Sequence, residues 1–365
     1  MNSYIMCYNK IEEGTNNMII IRGSEYQDFL QCRKKWYYSW YEKIEPKRKD
    51  NKLFFGTLFH KWLEHYYSNG CDDAIATEKT MEWYHNQDTS GMEEVELQEM
   101  MALFEGVKRN YHETYGEQDK RWKVLGTEVT FLVKLEEDIL MTGTLDMVVE
   151  NEEGKLILID HKTVSSIQMY IEKSVMDRQI SRYLWALNML SSGVGRVLKD
   201  DTWVVWNEVL GKEIDSFIYN LIAKDFPKEP KVLKSGKLST DKAQKTTYTL
   251  YKQAIQRLGL SENDYTDILE YLKQQPDRFL KRLQVIRTGE ELEASVWEFF
   301  YTAKEIKSLK EVLQVDKTFQ DRLCYRHIGH HCMTMCGYRP LCQTAIEGGN
   351  VDLMKVNAYQ PKEEM

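Results

Sequence analysis

Two acidic residues and a lysine occur where a β-hairpin could bring them together. Gly143 and Asp146 stand in one predicted strand, and Asp160 and Lys162 follow the apolar run Leu156–Ile159 of the next. Residues two apart on a strand point to the same face, so Asp160 and Lys162 project together and Asp146 can lie opposite them. Converging carboxylates suit a hard cation such as Mg²⁺ or Mn²⁺, and a nearby lysine can stabilise charge on a phosphate. The pattern indicates metal-dependent phosphodiester hydrolysis.

The alternative interpretation of these residues is an ordinary ion pair at a strand end, exposed to solvent. An aspartate two residues before a lysine occurs by chance in most chains of this length. The position is more informative, because both charges directly follow four aliphatic residues of a buried strand. Charges there lie at a sheet edge, where a site can open, and this favours the functional interpretation.

Three cysteines near the C-terminal end form a second candidate site. Cys332, Cys336 and Cys342 have the spacing C-x3-C-x5-C. Three thiolates need a fourth ligand to complete either a tetrahedral zinc site or a four-iron cluster. Cys32 is one possible fourth ligand, and a mixed site can draw on residues near the cluster, namely Cys324, His327, His330 and His331. We expect Cys7 and Cys71 to be unrelated to this site.

The elements that would position these residues begin with helices and continue with strands. Ser24 and Gln27 form a capping-box pattern. Helical periodicity predicts four helices: Glu25 to Lys43, one from near Gly56, Asp73 to Gln87, and Glu94 to Tyr115. Runs rich in Val, Ile, Leu and Thr predict strands at Trp122–Val133, Ile139–Val149 and Leu156–Ile159. The turn Asn151–Gly154 should join the last two as a hairpin.

The second half of the chain is predicted to be more mixed. A helix after Asp177 and a strand at Thr202–Val209 complete a compact sheet-and-helix core. Residues 211–247, with two prolines and many lysines, are predicted to be a loop-rich insertion. Further predictions are helices over Leu250–Tyr271 and Glu290–Leu313, a short strand at Phe279–Arg287, and a frayed polar tail after Val351.

Composition and charge limit the possible functions. The 365 residues are 42% hydrophobic and 29% charged, with a net charge of −8. This charge excludes a protein that coats nucleic acid by bulk electrostatics, but not an enzyme that grips DNA locally. No apolar run approaches the roughly 20 residues that span a bilayer, and no signal-peptide pattern is visible, so we expect a cytoplasmic protein without a membrane partner.

Two local basic runs contrast with the acidic total. The first extends from Arg33 to Lys52, and the second consists of six lysines: Lys228, Lys231, Lys234, Lys237, Lys242 and Lys245. The simpler interpretation of each run is a solvated face. Aromatic residues Trp36, Tyr37 and Tyr38 beside the first run could stack on single-stranded bases, although such residues more often belong to a core.

Three motifs together resemble a known family. The Gly-x-x-Asp of Gly143–Asp146, followed by a hydrophobic strand ending in Asp-x-Lys, resembles the PD-(D/E)XK nuclease superfamily. Gln179 and Tyr183 resemble the Gln-x-x-x-Tyr motif of its RecB-like branch, and Gly56–His60 resembles the Gly-x-x-x-His motif of that branch. The resemblance implies an α/β (α+β) fold, in which a restriction-endonuclease-like core sheet is flanked by helices, with an N-terminal helical region and a C-terminal cysteine-cluster region.

The resemblance also implies roles for individual residues. The metal would be held by His60, Asp146, Asp160 and the backbone carbonyl of His161. Lys162 would be the catalytic lysine, and Glu128 resembles an acidic position of the branch whose motif is loose. Gln179 and Tyr183, four apart on one helix face, would touch DNA or brace the site. Without the motifs, His60 would be interpreted as a core histidine and Tyr183 as a helix-packing residue.

Some RecB-like enzymes, including the AddB subunit and the CRISPR-adaptation nucleases, carry an iron-sulfur staple made by one N-terminal and three C-terminal cysteines. On this resemblance Cys32, Cys332, Cys336 and Cys342 would hold a 4Fe-4S cluster. The first C-terminal interval is x3 where x2 is commoner, and structural Zn²⁺ is the alternative. Such a cluster would close a loop of about three hundred residues.

The leading hypothesis is a metal-dependent DNA exonuclease acting on single-stranded or duplex ends in replication, recombination or repair. Residues 236–247 also resemble phage-encoded members of the branch, which would place the enzyme in a host cytoplasm. The alternative is an iron-sulfur or zinc DNA-binding scaffold that works with a helicase or recombination protein. No Walker A pattern is visible, so any unwinding would come from such a partner.

The predicted organisation has five regions: residues 1–120 (helical, with Cys32 and His60), 121–210 (nuclease core), 211–320 (lysine-rich insertion and helices), 321–345 (cysteine cluster) and 346–365 (flexible tail).

Overall fold

The computed structural model describes residues 18–47, 51–89, 92–136 and 138–362, so Cys7 and part of the first basic run lie outside the described residues. An eight-stranded mixed sheet forms the centre, and a separate two-stranded sheet accounts for the other two strands of the described residues. The strands are β1 (Ile19–Arg22), β2 (Ile44–Pro46), β3 (Lys123–Glu136), β4 (Ile139–Glu150), β5 (Leu156–Val164), β6 (Arg196–Lys199), β7 (Thr202–Val204), β8 (Ile214–Ala223), β9 (Leu280–Val285) and β10 (Tyr359–Pro361). The order is β7-β6-β3-β4-β5-β8-β9, with β1 beside β4, and β2 pairs separately with β10.

Helices cover both faces of this sheet. They are α1 (Gly23–Gln31), α2 (Arg33–Trp36) running into a π-helical turn (Tyr37–Tyr41), α3 (Asn51–Ser68), α4 (Asp73–His85), α5 (Glu94–Asp119), α6 (Ile167–Ser174), α7 (Arg178–Ser191), α8 (Tyr248–Arg257), α9 (Thr266–Lys273), α10 (Gly289–Val315), α11 (Gln320–Leu323), α12 (His330–Thr334), α13 (Arg339–Ile346) and α14 (Val351–Ala358). None of the described helices is long and apolar enough to cross a bilayer.

Alternation along the strands divides the core into two layers. On β5, Leu156 and Leu158 pack in one cluster with α1, α7 and α10, whereas Ile157 and Ile159 face the other cluster with α3 and α5. Successive strand residues point to opposite faces, so a strand buried on both sides is apolar throughout. The predicted α/β class is confirmed, and so is the hairpin, because β4 pairs antiparallel with β5 around the turn at Asn151.

The first helix is interrupted where the sequence predicted continuity. Cys32 has an extended backbone (φ −166°, ψ 113°) that separates α1 from α2. The tertiary structure compensates for the break, because the Lys34 N–H donates to the Tyr325 carbonyl at 3.1 Å. The capping-box prediction was also wrong, since the helix begins at Gly23, before Ser24.

The sheet contains a central strand that the sequence pattern did not predict. β8 lies within the segment predicted to be loop-rich, and it pairs in parallel with β5 along its whole length. Its apolar side chains face both core layers, and the lysines and prolines that follow from Lys224 onward obscured this short run. The strand predicted from Thr202 ends at Val204, and the helix predicted over Leu250–Tyr271 is two helices separated near Gly259, whose φ is +64°.

The C-terminal tail is ordered as far as the structure describes it. The prediction of a frayed tail after Val351 was wrong, because α14 follows directly and Tyr359–Pro361 pairs antiparallel with Ile44–Pro46. The Lys47 ammonium also donates to the Val356 carbonyl at 2.9 Å. These contacts join residues 44–47 to residues 356–361.

Candidate active site

The two predicted aspartates lie where β4 and β5 separate. Pairing of these strands runs from Glu150 opposite Leu156 to Met147 opposite Ile159, and it stops before Asp146 would meet Asp160. The backbone N–H of His161 instead donates to Asp146 Oδ2 at 2.8 Å. The sheet thus opens at the carboxylates and leaves space between their side chains.

Asp160 is held from two sides. Lys162 Nζ lies 2.6 Å from Asp160 Oδ2, and Gln179 Nε2 donates to Asp160 Oδ1 at 3.0 Å. The Asp160 side chain is 1% exposed and that of Lys162 is 25% exposed. A charged group can therefore approach the lysine from solvent, while the aspartate stays in a fixed orientation.

His60, Glu128 and Asp146 form a compact group of potential metal ligands. One ligand atom from each lies within 4.8 Å of the others. His60 Nδ1 is 3.7 Å from Asp146 Oδ2 and 3.9 Å from Glu128 Oε1. Imidazole and carboxylate donors suit a divalent cation, so the residues fit the metal that the sequence motifs imply. The motif that suggested a role for Glu128 is loose, but in the structure Glu128 lies with His60 and Asp146 in this group.

Backbone geometry explains how two of these residues reach the group. Gly56 lies one helical turn before His60 on α3, and a Cβ there would be 3.2 Å from Thr163 Oγ1 on β5. Glycine therefore lets α3 lie close against the strand that carries Asp160. Glu128 stands in β3 with a φ of +48°, a left-handed conformation that is rare for a residue with a side chain.

Burial and mutual charge shift the protonation of the site. Burial raises the pKa of Asp160 to about 7, although Lys162 opposes this shift, and burial also raises the pKa of Asp146. Burial acts to lower the pKa of His60, but Asp146 and Glu128 outweigh it, and the net shift is upward. For Lys162, burial again acts downward and Asp160 more than offsets it, so the raised pKa keeps the ammonium charged.

The His161 side chain turns away from the carboxylates into a buried polar network. Its Nδ1 lies 2.8 Å from Asn220 Nδ2 on β8, and Asn220 donates to the Tyr111 hydroxyl at 2.6 Å. The Tyr67 ring stacks on the imidazole at a centroid distance of 5.7 Å. Burial lowers the pKa of His161 well below its usual value, so the ring is neutral. Asn220 and Tyr111 gave no sequence signal, because isolated polar residues in apolar segments have many roles.

The helix after the core braces the site. Asp177 caps α7 by accepting from the Gln179 N–H at 2.9 Å, and the Tyr219 hydroxyl donates to the other Asp177 oxygen at 3.0 Å. The ring of Tyr183 packs edge-on against Phe131. Burial raises the pKa of Tyr183 to about 12, with Asp160 contributing. The phenol is therefore a neutral group beside the carboxylates.

Most of the chain matches a known protein family. The sequence profile of the PD-(D/E)XK nuclease superfamily matches residues 23–343, which is most of the chain. The chain belongs to this superfamily. Membership indicates a metal-dependent nuclease that acts on DNA, with His60, Glu128 and Asp146 as a candidate metal site.

Other comparisons add little to the superfamily assignment. No curated protein matches the chain. A solved structure described as "Crystal structure of SSO0001" is 12% identical, and the match covers 93% of each chain with a TM-score of 0.32. A similarity this weak carries no argument about the nuclease.

Four thiols of the nuclease line one cavity of about 260 Å³, namely Cys32, Cys332, Cys336 and Cys342. Lys35 and Arg326 also line the cavity. Cys324 is buried, with 1% of its surface exposed, and is not among the lining residues. The break at Cys32 lets the helix turn its thiol toward the C-terminal segment, where the His327 N–H approaches Cys32 Sγ at 3.4 Å. Within the described chain, no three ligand atoms around this cavity lie mutually within 4.8 Å.

Proposed function

We propose that this nuclease is a divalent-metal-dependent DNA exonuclease of the RecB-like branch, acting in DNA replication, recombination or repair. The observation that carries the proposal is the meeting of His60, Glu128 and Asp146 beside the Asp160–Lys162 pair at the opening of the sheet. A scaffold that only bound DNA would have no need to bury two carboxylates next to a lysine. The cost of burying those charges is offset when a cation and a phosphate neutralise them.

Each side chain has a distinct task in this proposal. His60, Glu128, Asp146 and Asp160, with the His161 carbonyl, would hold Mg²⁺ or Mn²⁺. When bound, the ion supplies Lewis-acid activation of the phosphate and lowers the pKa of a water. Lys162 would orient the attacking water and stabilise negative charge on the phosphate oxygens. Gln179 would keep Asp160 oriented, since it donates to Oδ1, and Tyr183 would brace the site or touch DNA.

We further propose a 4Fe-4S cluster at the four-cysteine cavity. Four thiolates are the ligand set of such a cluster and also of a tetrahedral zinc site, and the cluster is the group that the resemblance of the cysteine pattern implies. Lys35 and Arg326 would offset the negative charge of the thiolates. Structural Zn²⁺ is the alternative that metal analysis distinguishes.

The nuclease proposal is tested on end-labelled single-stranded and duplex DNA with Mg²⁺ or Mn²⁺. We expect digestion from the ends, no cleavage of a closed circle of the same sequence, and no activity in EDTA. Asp160→Asn and Lys162→Met should each lower the rate by at least about a hundredfold, because each removes charge stabilisation at the reacting phosphate.

Asp215→Asn is the matched control. Asp215 is an exposed aspartate at the beginning of β8, four residues before the residue that pairs with Asp160, and its loss should leave the rate unchanged. Wild-type activity in Asp160→Asn would overturn the site assignment. Cleavage of the closed circle would replace exonuclease by endonuclease action, and tight DNA binding without any cleavage would support the scaffold alternative with a helicase or recombination partner.

A further inference from the structure

The insertion between β8 and β9 carries a small hairpin, residues 231–239, which we call the lysine finger. Val232 and Leu238 form an antiparallel bridge. The Leu233 N–H donates to the Lys237 carbonyl at 2.8 Å, and the Ser239 N–H donates to the Lys231 carbonyl at 2.8 Å. Gly236 takes a left-handed φ of +79°, which allows the chain to reverse. The finger is therefore a defined turn and not an irregular loop.

The base of the finger is anchored in the insertion's own core. Leu238 is 2% exposed and packs among the residues of α8 and α9. Its N–H donates to the Tyr265 hydroxyl at 3.1 Å, and the Tyr251 hydroxyl donates to the Ser239 carbonyl at 3.0 Å. These contacts fix the base, so the tip is presented in one orientation.

Three lysines of the finger carry side-chain ammonium groups with no ion-pair partner in the described part of the chain. Lys231, Lys234 and Lys237 are exposed, and they make no ion pair with any residue that the structure describes. Other lysines of the same segment do have partners: Lys245 pairs with Asp225 at 2.8 Å, Lys228 lies over Phe226, and Lys242 lies over Tyr271. The three finger lysines repel one another, and a polyanion would relieve that repulsion.

The local charge is opposite to that of the whole protein. Residues 224–247 contain seven lysines and three acidic residues, a net charge of +4 in a chain whose total is −8. A positive segment on an acidic protein concentrates the attraction for a polyanion at one place and lets the rest of the surface repel it. An ordinary solvated face would explain why these lysines are exposed, but not why they are concentrated in one segment of an acidic chain.

The insertion leaves the sheet at the edge that carries the candidate active site. β5 and β8 run in parallel, with Lys162 opposite Leu221 and Val164 opposite Ala223. The next residue, Lys224, donates its N–H to the Val164 carbonyl at 2.8 Å, and its ammonium lies over the Phe55 ring of α3. The finger therefore belongs to the segment that begins at Lys224, three residues after the residue that pairs with Lys162.

We propose that the lysine finger is a DNA-backbone contact that holds the strand whose end enters the candidate active site. This inference rests on the proposed nuclease function. The ligand is the phosphate backbone, because the finger offers mainly ammonium groups and has no arginine, asparagine, glutamine or aromatic side chain to read or stack on bases. The finger would contribute binding energy without taking part in the hydrolysis of the phosphodiester bond.

The test is a Lys231→Ala, Lys234→Ala and Lys237→Ala triple variant, with DNA affinity measured by fluorescence anisotropy at several salt concentrations. To prevent cleavage, affinity is measured in the Asp160→Asn background with a labelled 30-nucleotide strand. We expect roughly ten- to a hundredfold weaker binding at low salt and a salt-dependence slope reduced by about two to three, as for the loss of three phosphate contacts. On a wild-type background, hydrolysis of a dinucleotide should be unchanged.

The matched control removes three exposed lysines elsewhere, Lys120, Lys199 and Lys317, which changes the net charge equally. Unchanged DNA affinity in the finger variant would overturn the proposal that the finger binds DNA, even if the enzyme degrades DNA. An equal loss of DNA affinity in the control variant would overturn it as well. A loss of DNA affinity confined to the finger variant supports the proposed DNA contact. A wild-type protein that binds DNA through the finger but cleaves none would overturn only the nuclease proposal.

Discussion

Asp160 is the residue on which the protonation of the site depends most. Its carboxyl is buried between Lys162 and Gln179, and burial raises its pKa to about 7. Asp146 shifts in the same direction for the same reason. A cation that binds these carboxylates must displace their protons, so binding and titration are linked.

Cation binding should therefore tighten as the pH rises. Below about pH 7 the raised pKa keeps a proton on Asp160, and above it the carboxylate is free to bind. We expect the Kd for Mn²⁺ to fall by about fivefold between pH 6 and pH 7 and by about twofold more between pH 7 and pH 8, with proton release on binding. Calorimetry in buffers of different ionisation enthalpy measures both quantities.

Asp160→Asn supplies the control for this pH dependence. The amide has no proton to lose, so the remaining dependence should be shallower and should reflect Asp146 and His60. A Kd for Mn²⁺ that is equal at pH 6 and pH 8 in the unaltered protein would contradict the prediction.

Among the elements, the packing of α3 on β5 sets the position of His60. The close contact depends on Gly56, whose missing side chain leaves 3.2 Å between its Cβ position and Thr163 Oγ1. A comparable close approach occurs at Gly143 on β4, where a Cβ would lie 3.0 Å from the Phe131 ring and 3.4 Å from that of Tyr183. Both motif glycines are explained by contacts between elements.

Gly56→Ala should separate site geometry from stability. Alanine favours the helix by roughly 1 kcal/mol, whereas the new contact with Thr163 costs a similar amount, so the free energy of unfolding should change little. Either α3 or the Thr163 side chain must shift by a few tenths of an ångström, and we expect a shift of the helix to lower the affinity for Mn²⁺ about three- to tenfold. Isothermal titration and denaturant unfolding measure the two effects.

Thr163→Ala removes the atom that the new methyl group would meet. In that background Gly56→Ala should cost much less cation affinity, and the two substitutions should therefore be non-additive. Purely additive losses would show that Gly56 does not act through its contact with Thr163.

At the scale of the whole molecule, contacts join an N-terminal segment to the C-terminal segment. Pairing of β2 with β10 and the ion pair between Lys34 and Asp321, at 3.0 Å, join them without any bound group. The thiol cavity lies at the same junction, because Cys32 of the N-terminal segment and three cysteines of the C-terminal segment line it together. A cluster here would add a covalent link across about three hundred residues.

Protein purified without oxygen should be brown and contain about four irons per chain. Cys32→Ser should lose the colour as completely as Cys336→Ser and should lower the Tm by roughly 5–10 °C, because the link between the ends is lost. Visible absorbance, iron analysis and thermal unfolding measure these effects.

Cys324→Ser and Cys71→Ser are the matched controls, since both thiols are buried outside the cavity lining. Both variants should keep the colour. Stoichiometric zinc without iron would support the structural zinc alternative, and a coloured Cys32→Ser protein would contradict the link between the two ends.

Features that depend on local pattern could be predicted from the amino-acid sequence. Asp146, Asp160 and Lys162 could be identified because strand alternation and a four-residue turn relate them directly, and the hairpin of β4 and β5 is as expected. The superfamily was also readable from short motifs. Periodicity located most helices for the same reason, since each buries one face against the core.

Features that join distant segments could not be predicted from the sequence and depend on the folded chain. Glu128 enters the metal group through a left-handed backbone that no local preference favours, and Asn220 contacts His161 because β8 lies beside β5. The extended Cys32 breaks a helix that its neighbours would continue. In each case contacts with remote parts of the chain outweigh local propensity, which is worth less than about 1 kcal/mol per residue.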